Sequence, residues 1–310
     1  MSTSLVADGL RKRYGEVRAL DGFDLAVAAG TIHGLLGPNG AGKSTAVKAL
    51  ATLIDLDGGA ARVAGLDVRT QGRQVRERIG LIGQNAAVDE ILGGRQNLVM
   101  FGRLYGLGKA AARERADQLL ARFGLSAAAD RAVSTYSGGM RRRLDIAAGL
   151  IRTPAVLFLD EPTTGLDPRG RNDVWETVRE VAAGGTTVLL TTQYLDEADQ
   201  LAAEISVMNH GRIIASGTPE ALKRRLGGDR VTVTLPSVDA LDVLAGRFSN
   251  ATVDAAARTV TFEVGSGVVA LAEIVRVLDQ LGLPPEDLVL RRPTLDEVFL
   301  TLTAAGEVAR

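Results

Sequence analysis

The sequence predicts an α/β protein built around a parallel β-sheet, followed by a smaller α+β domain. Two continuous apolar runs, residues 155–161 and 186–192, are typical of strands buried on both faces of a parallel sheet. The segment between them, 172–183, has helical spacing, so the three segments form a β-α-β crossover. From residue 228 onward the strand runs alternate between apolar and polar residues, which indicates a separate domain with half-exposed strands.

Composition describes a globular chain without a strong overall charge. Of its 310 residues, 46% are hydrophobic and 24% are charged, which supplies enough apolar material for sizeable cores. The formal net charge of −1 gives no general basic field, so no nucleic-acid partner is expected. Residues 1–227 hold 29 Lys and Arg against 25 Asp and Glu, whereas residues 228–310 hold 7 against 12, which supports a domain boundary at 227/228.

Several classes of protein are excluded by residue usage. The chain has no cysteine and only two histidines, His33 and His210, so neither a disulfide scaffold nor a Cys/His metal cluster is expected. We interpret both histidines as packing or surface residues. The N-terminus lacks the features of a signal peptide, and no apolar run approaches the roughly 18–20 residues that span a bilayer. We therefore expect a soluble, intracellular chain, and any membrane crossing would belong to another chain.

The first predicted elements are strands within residues 4–36, and they lead into a glycine-rich loop. The apolar run 32–36 ends at the loop, and a helix is predicted after it. The loop fills every position of the pattern G-x-x-x-x-G-K-[ST], in which backbone N–H groups surround phosphate oxygens. In this pattern the lysine reaches the β- and γ-phosphates and the hydroxyl binds Mg²⁺. The residues are Gly37, Pro38, Asn39, Gly40, Ala41, Gly42, Lys43, Ser44 and Thr45.

A glycine-rich turn without a ligand is the alternative interpretation of this loop. The complete pattern, with a strand before it and a helix after it, favours binding of a nucleoside triphosphate by Lys43 and Ser44. The loop alone does not identify the class of NTPase.

The rest of the chain divides into a helical insertion, a return to the sheet and the second domain. A short strand over 79–83 ends at Gln84, and apolar residues at helical spacing predict a helical subdomain over about 85–150. Turn residues His210 and Gly211 predict a hairpin over 205–214. The second domain, 228–310, is predicted to contain strands at 231–235 and 259–264 and a helix over 268–278.

A further motif, Tyr-Ser-Gly-Gly-Met-Arg-Arg-Arg at 136–143, stands between the helical insertion and the buried strand 155–161. In this order the motifs resemble the ATP-binding cassette (ABC) family of NTPases over about residues 4–220. For the motif alone, a serine that caps a helix beside two flexible glycines would be the alternative. The resemblance implies that Ser137, Gly138 and Gly139 contact the γ-phosphate bound by an opposite protomer, so that two copies meet head to tail around ATP.

The resemblance also assigns roles to the residues after the buried strand. Asp160 matches the carboxylate that holds Mg²⁺, and Glu161 matches the residue that orients or deprotonates the attacking water. The loop that follows resembles the family's D-loop, which implies that Gly165, Leu166 and Asp167 lie at the dimer interface. Solvated loop charges are the alternative interpretation of the two carboxylates.

Three single residues complete the implied site. Gln84 matches the glutamine that senses Mg²⁺ and the γ-phosphate, and Tyr14 matches the aromatic residue that stacks on adenine. Gln193 stands where the family usually has a switch histidine. Its amide can hydrogen-bond the γ-phosphate and the water but cannot be charged, so we expect hydrolysis to survive without a protonated switch residue. For Tyr14 simple packing, and for Gln193 an inert surface position, remain the alternatives.

Two segments resemble one branch of the family, the ATPase subunits of daunorubicin-resistance-type drug exporters: residues 193–199 and the tail 292–300. Without the family, the tail is an amphipathic helix that starts at a proline. The resemblance implies a homodimer that binds two Mg-ATP and drives a separate polytopic membrane permease from the cytoplasmic face of the cell membrane. The implied cargo, which never touches this chain, is a drug, an antibiotic or a lipid.

Two other functions are weighed against transport. A soluble ABC ATPase acting on ribosomes usually has two cassettes in one chain, and the DNA-repair type has a long coiled coil between the phosphate loop and the signature. This chain has one cassette and only about 90 residues in that gap. A regulatory ATP sensor would be favoured by a missing catalytic carboxylate, but Glu161 is present.

Overall fold

The computed structural model describes residues 2–84, 86–224, 229–248, 250–264, 267–291, 294–297 and 299. The contacts between residues divide the chain into two compact units, Met1–Thr218 and Pro219–Arg310. The sequence predicts the boundary at 227/228, and those two positions lie outside the described residues.

The first unit contains a mainly parallel sheet of six strands, in the order β10-β9-β3-β8-β7-β6. Only β10 runs antiparallel, forming the predicted hairpin with β9. Every residue of β3, β7 and β8 is buried, as expected from their continuous apolar runs. The strands are β3 (Ile32–Leu36), β6 (Ile79–Ile82), β7 (Val156–Asp160), β8 (Thr187–Thr192), β9 (Glu204–Asn209) and β10 (Arg212–Gly217).

An antiparallel sheet in the order β2-β1-β4-β5 completes the strands of this unit. Its two long strands extend beyond the short apolar stretches visible in the sequence, because exposed charged residues such as Arg11, Arg13 and Asp24 interrupt the apolar pattern. The strands are β1 (Thr3–Tyr14), β2 (Val17–Ala28), β4 (Gly58–Val63) and β5 (Leu66–Asp67).

Helices connect the strands and form the predicted insertion. Asp167 accepts a hydrogen bond from the N–H of Gly170 and Pro168 occupies the first turn, so helix α6 begins four residues before the predicted start at 172. The helices are α1 (Lys43–Leu50), α2 (Gly72–Arg78), α3 (Gly94–Leu104), α4 (Lys109–Arg122), α5 (Gly138–Gly149), α6 (Pro168–Ala183) and α7 (Leu195–Leu201). Of these, α3 packs on both α4 and α5.

Parallel strands bring their carboxyl ends to one edge of the sheet, and this edge positions the candidate site. Strand β3 lies between β9 and β8, and β8 pairs with β7. Leu36 pairs with Thr192, and Asp160 pairs with Thr191. The glycine-rich loop, the two carboxylates and Gln193 therefore all follow neighbouring strand ends.

The second unit has a four-stranded antiparallel sheet in the order β12-β13-β11-β14. Its element order is the split β-α-β arrangement, in which two helices pack on the sheet. Val231, Val233 and Phe262 are fully buried with Leu241 and Leu244 in one core. The elements are α8 (Pro219–Arg224), β11 (Asp229–Thr234), α9 (Val238–Ala245), β12 (Ala251–Asp254), β13 (Thr259–Val264), α10 (Gly267–Leu281) and β14 (Asp287–Arg291).

The predicted tail helix over 292–300 includes Arg292, Pro293, Val298 and Leu300, which lie outside the described residues. Among the helices that the structure describes, none is both long enough and apolar enough to cross a bilayer.

Candidate nucleotide site

The glycine-rich loop connects β3 to α1 and requires glycine at two close approaches. A Cβ at Gly37 would lie 2.4 Å from the carbonyl oxygen of Met208, and one at Gly42 would lie 2.3 Å from that of Ala19. Gly42, which precedes α1, also has a φ of +106°, and Gly40 has a φ of +80°. This loop conformation therefore requires glycine at positions 37 and 42.

Lys43, the first residue of α1, places its ammonium group inside the loop. Its Nζ donates to the carbonyl oxygens of Gly37 (2.7 Å) and Pro38 (3.1 Å), and it lies 3.4 Å from Oε1 of Glu161. Burial lowers the pKa of Lys43, while Glu161 and Asp160 oppose that shift. The structure thus brings the lysine of the loop and the predicted catalytic carboxylate together across 118 residues of sequence.

The two carboxylates at the end of β7 are held by the neighbouring strand. Thr191 donates its hydroxyl to Oδ1 of Asp160 at 2.5 Å, and the N–H of Glu161 donates to both the carbonyl oxygen and the Oγ1 of Thr191 at 3.1 Å. Glu161 has a φ of +49°, an unusual value for a side-chain-bearing residue, which turns the chain sharply after the strand. Both carboxylates are buried.

Sequence reasoning missed Thr191. The signal that could have found it is the parallel register, because Asp160 and Thr191 are direct partners on adjacent strands. A hydroxyl that donates a hydrogen bond to a carboxylate fixes the orientation of the carboxylate, and with it the direction of the lone pairs that remain free.

The predicted metal ligands Ser44, Gln84 and Asp160 supply a hydroxyl, an amide and one carboxylate. The described residues contain no cluster of three His, Cys, Asp or Glu side chains that could hold a metal ion unaided. This donor set fits Mg²⁺, which is usually held by one or two carboxylates together with waters and the phosphates of a substrate. It does not fit a metal that needs a cage of nitrogen or sulfur ligands.

An open cleft of about 410 Å³ brings four predicted site residues together: Gln84, Gly138, Glu161 and Leu166. Arg142 of α5 also lines this cleft, and it was not singled out from the sequence. Gln84 follows β6, and it therefore reaches the cleft from the same edge of the sheet as Glu161.

The signature loop leads into α5 and is exposed. Ser137 caps this helix, since its Oγ accepts from the N–H of Met140 at 3.2 Å, and both Ser137 and Gly138 are exposed. Gly139 is buried against α6, where an added Cβ would lie 3.1 Å from Cα of Gly170. The local helix cap is thus present, and it coexists with the role that the resemblance implies.

The predicted D-loop lies next to the signature loop within the same chain. A Cβ at Gly138 would lie 2.9 Å from Cδ2 of Leu166. Gly165, with a φ of +78°, and Asp167 are both exposed. Asp167 has a second task that the sequence reasoning missed, because it caps α6.

Tyr14 ends β1 and is 48% exposed, and Lys12 places its Nζ 5.6 Å from the centroid of the Tyr14 ring. Its cross-strand partner is Val17, which is 66% exposed and was also missed. The turn between them places the two residues opposite each other, so both present apolar surface to solvent.

Gln193 follows β8 and is partly exposed. The two histidines are packing and surface residues, as predicted: His33 is buried on β3, and His210 is exposed in the β9–β10 turn. Burial lowers the pKa of His33 to about 4, so its imidazole is neutral at pH 7 and its 3.9 Å approach to Glu204 is not an ion pair there.

Comparison with known proteins finds two family models that match different parts of this chain. The family model described as "ABC transporter" matches residues 20–164, and the model described as "ATP-binding protein DrrA1-3-like, C-terminal domain" matches residues 217–303. The daunorubicin resistance ATP-binding protein DrrA2 of Streptomyces coeruleorubidus is 59% identical over 96% of this chain and 94% of its own length. The doxorubicin resistance ATP-binding protein DrrA of Mycobacterium tuberculosis is 46% identical over 97% of this chain and 93% of its own.

Among solved structures, cbiO1 from Clostridium perfringens, part of the ABC transporter complex cbiONQ, superposes with a TM-score of 0.67 at 25% identity. The superposition covers 80% of this chain and 97% of the cbiO1 chain.

Proposed function

Because this chain belongs to the ABC family of transporter ATPases, and within it to the group of daunorubicin-resistance ATP-binding proteins, we propose that it powers an exporter as a homodimer around two Mg-ATP. The chain is an ATPase of this family, and the fold class and family resemblance predicted from the sequence are confirmed. One observation carries the assignment of chemistry: Lys43 within its loop lies 3.4 Å from Glu161 and next to Asp160.

In the proposed reaction the loop residues 37–45 bind the phosphates through backbone N–H groups, and Lys43 neutralises charge on the β- and γ-phosphates. Ser44, Gln84 and Asp160 would hold Mg²⁺, which neutralises negative charge on the phosphate oxygens when bound. Thr191 orients Asp160 through its 2.5 Å hydrogen bond.

Glu161 orients the attacking water and accepts its proton, and the amide of Gln193 positions the γ-phosphate and that water without a charge. The sharp turn at Glu161, bonded to Thr191, directs its carboxylate toward the cleft that Gln84 also lines. Tyr14, with Val17 beside it, stacks on adenine.

The second copy is proposed because the signature and the D-loop are exposed side by side. Ser137, Gly138, Gly165 and Asp167 are all exposed. N–H groups at the start of a helix are a ready anion-binding site, so α5 of one protomer can complete the phosphate site of the other.

Transport requires a further chain, a polytopic permease that binds the cargo. The names of the relatives refer to resistance to daunorubicin and doxorubicin, so the proposed cargo class is a lipophilic drug, an antibiotic or a lipid. The proposed location is the cytoplasmic face of the cell membrane, reached through the permease. The alternative, a soluble ATPase acting on ribosomes or DNA, gains nothing from these relatives.

The test is a pull-down of the tagged chain from membranes of its host, with and without ATP. A stoichiometric polytopic membrane protein is expected, and recovery of ribosomal or DNA-bound partners alone would overturn the proposal. In parallel, Glu161→Gln is expected to retain ATP binding, to lose turnover and to accumulate as an ATP-bound dimer in size-exclusion chromatography. Normal hydrolysis by this variant would refute the role of Glu161.

A further inference from the structure

Helix α5 buries a charged pair to which the proposed reaction assigns no role: Arg142, within the motif 136–143, and Asp145, which follows that motif. Arg142 and Asp145 lie one turn apart, are 7% and 3% exposed, and approach to 3.2 Å between Nη1 and Oδ2. Burial raises the pKa of Asp145 and lowers that of Arg142, while each charge opposes the shift of the other. Burying two charged groups costs free energy, which further hydrogen bonds to both groups must offset. The partners in those hydrogen bonds therefore indicate the structural role of the pair.

Those hydrogen bonds go to both sides of Gln84. Arg142 donates through Nη1 to the carbonyl oxygen of Gly83 at 2.8 Å, and Asp145 accepts at Oδ1 from the N–H of Ala87 at 2.9 Å. The residue before Gln84 and the residue three positions after it are therefore held by the same helix.

The pair also reaches the metal-binding strand. Nη2 of Arg142 lies 3.4 Å from the carbonyl oxygen of Asp160, so one guanidinium contacts the backbone beside two of the three proposed Mg²⁺ ligands. Farther along the same segment, Arg141 of α5 pairs with Glu90 at 2.7 Å. Asn97 of α3, which is fully buried, accepts from the N–H of Asp89 at 2.7 Å.

We infer that Arg142 and Asp145 form a positioning pair that fixes Gln84 relative to Asp160 and couples Gln84 to the helix whose N-terminus carries Ser137. Neither side chain is a catalytic residue. When the opposite protomer displaces the N-terminal end of α5, which carries Ser137, the pair transmits that displacement to Gln84 of the same chain. The inference rests on the proposed roles of Gln84 and Asp160 in holding Mg-ATP.

The test removes the pair without leaving one buried charge alone. Replacing both members by apolar residues of similar size, Arg142→Met with Asp145→Leu, avoids an unpaired ion and is the change that such pairs tolerate best. The matched control is Arg143→Met with Asp173→Leu. Arg143 is the next residue of α5, and its 3.6 Å pair with Asp173 joins α5 to α6 without touching the flanks of Gln84.

Two readouts are measured on the full chain. The first is the split of ATPase kinetics into kcat and KM for ATP. The second is Mn²⁺ affinity of the ATP-bound chain, measured by electron paramagnetic resonance in a Glu161→Gln background, where hydrolysis does not interfere. Misplacement of a positioned group by about 1 Å can cost on the order of 100-fold in rate. We expect the Arg142/Asp145 variant to lose at least about tenfold in kcat and several-fold in Mn²⁺ affinity, with KM for ATP nearly unchanged.

The Arg143/Asp173 variant is expected to retain both values. Wild-type kcat and Mn²⁺ affinity in the Arg142/Asp145 variant would overturn the inference, and so would equal losses in the control pair. If the double variant does not fold, Arg142→Lys is used, because lysine keeps the charge opposite Asp145 but cannot reproduce the planar set of donors that reaches the carbonyl oxygens of Gly83 and Asp160. The Mn²⁺ affinity of this variant must then fall, and an unchanged affinity overturns the inference. Failure of the unmodified chain to hydrolyse ATP would instead refute the proposed function.

Discussion

The buried imidazole of His33 makes the stability of the first unit sensitive to mild acid. Its Nε2 lies 3.0 Å from Oγ of Ser206, which in turn lies 2.9 Å from Oγ of Ser216. The carboxylate of Glu204 is more than half exposed and lies 3.9 Å from Nδ1, so it offers little compensation for a buried charge. The perturbation is a drop from pH 7 to pH 5.

The sign follows from the pKa of His33, which burial lowers from 6.5 to about 4. Between these values the unfolded chain binds a proton that the folded chain does not, so the free energy of unfolding falls as the pH decreases from about 6.5 toward 4. At about 1.4 kcal/mol per pKa unit, the complete loss is about 3 kcal/mol below pH 4, and the part expected between pH 7 and pH 5 is about 2 kcal/mol.

The assay is urea unfolding at the two pH values, followed by the fluorescence of Trp175, the chain's single tryptophan, which lies in the first unit. The comparison variant is His33→Gln, whose amide can still bond Ser206 but does not titrate. It should lose about 2 kcal/mol less stability than the native chain over this pH range.

The control for this experiment is His210→Gln, because His210 is the only other histidine and is exposed. It should follow the native chain. An equal loss of stability for His33→Gln and the native chain would refute the reasoning, since it would mean that His33 does not resist protonation in the folded state.

Three further predictions concern the site. Thr191→Val removes the hydroxyl bonded to Asp160, so it should lower the free energy of unfolding by about 1–3 kcal/mol and reduce turnover; unchanged kinetics would show that Asp160 needs no orientation. Tyr14→Ala should weaken ATP binding about tenfold, whereas Tyr14→Trp should not, as a fluorescent ATP analogue would report; equal binding by both would favour simple packing of the ring. Gln193→Ala should reduce kcat about tenfold without changing ATP affinity, and native kcat would identify Gln193 as an inert surface residue.

Part of the fold could be predicted because it is encoded by local pattern. Strands β7 and β8 are continuous apolar runs, and the turn-forming residues His210 and Gly211 mark the hairpin of β9 and β10 in the sequence. The elements that were missed lack such a pattern. Strand β12 at Ala251–Asp254 is almost entirely exposed at the edge of its sheet, and the strand order of the second unit depends on pairings between distant segments.

By itself, the sequence determined the phosphate loop, the order of the family motifs and the carboxylates Asp160 and Glu161, because each is a short run whose chemistry lies in adjacent residues. The tertiary structure alone decided what orients them. Thr191 reaches Asp160 through the register of two parallel strands, and Arg142 reaches Gly83 across 59 residues. Hydrogen bonds of this kind depend on which backbones the fold brings within about 3 Å, and no local spacing of residue types specifies that.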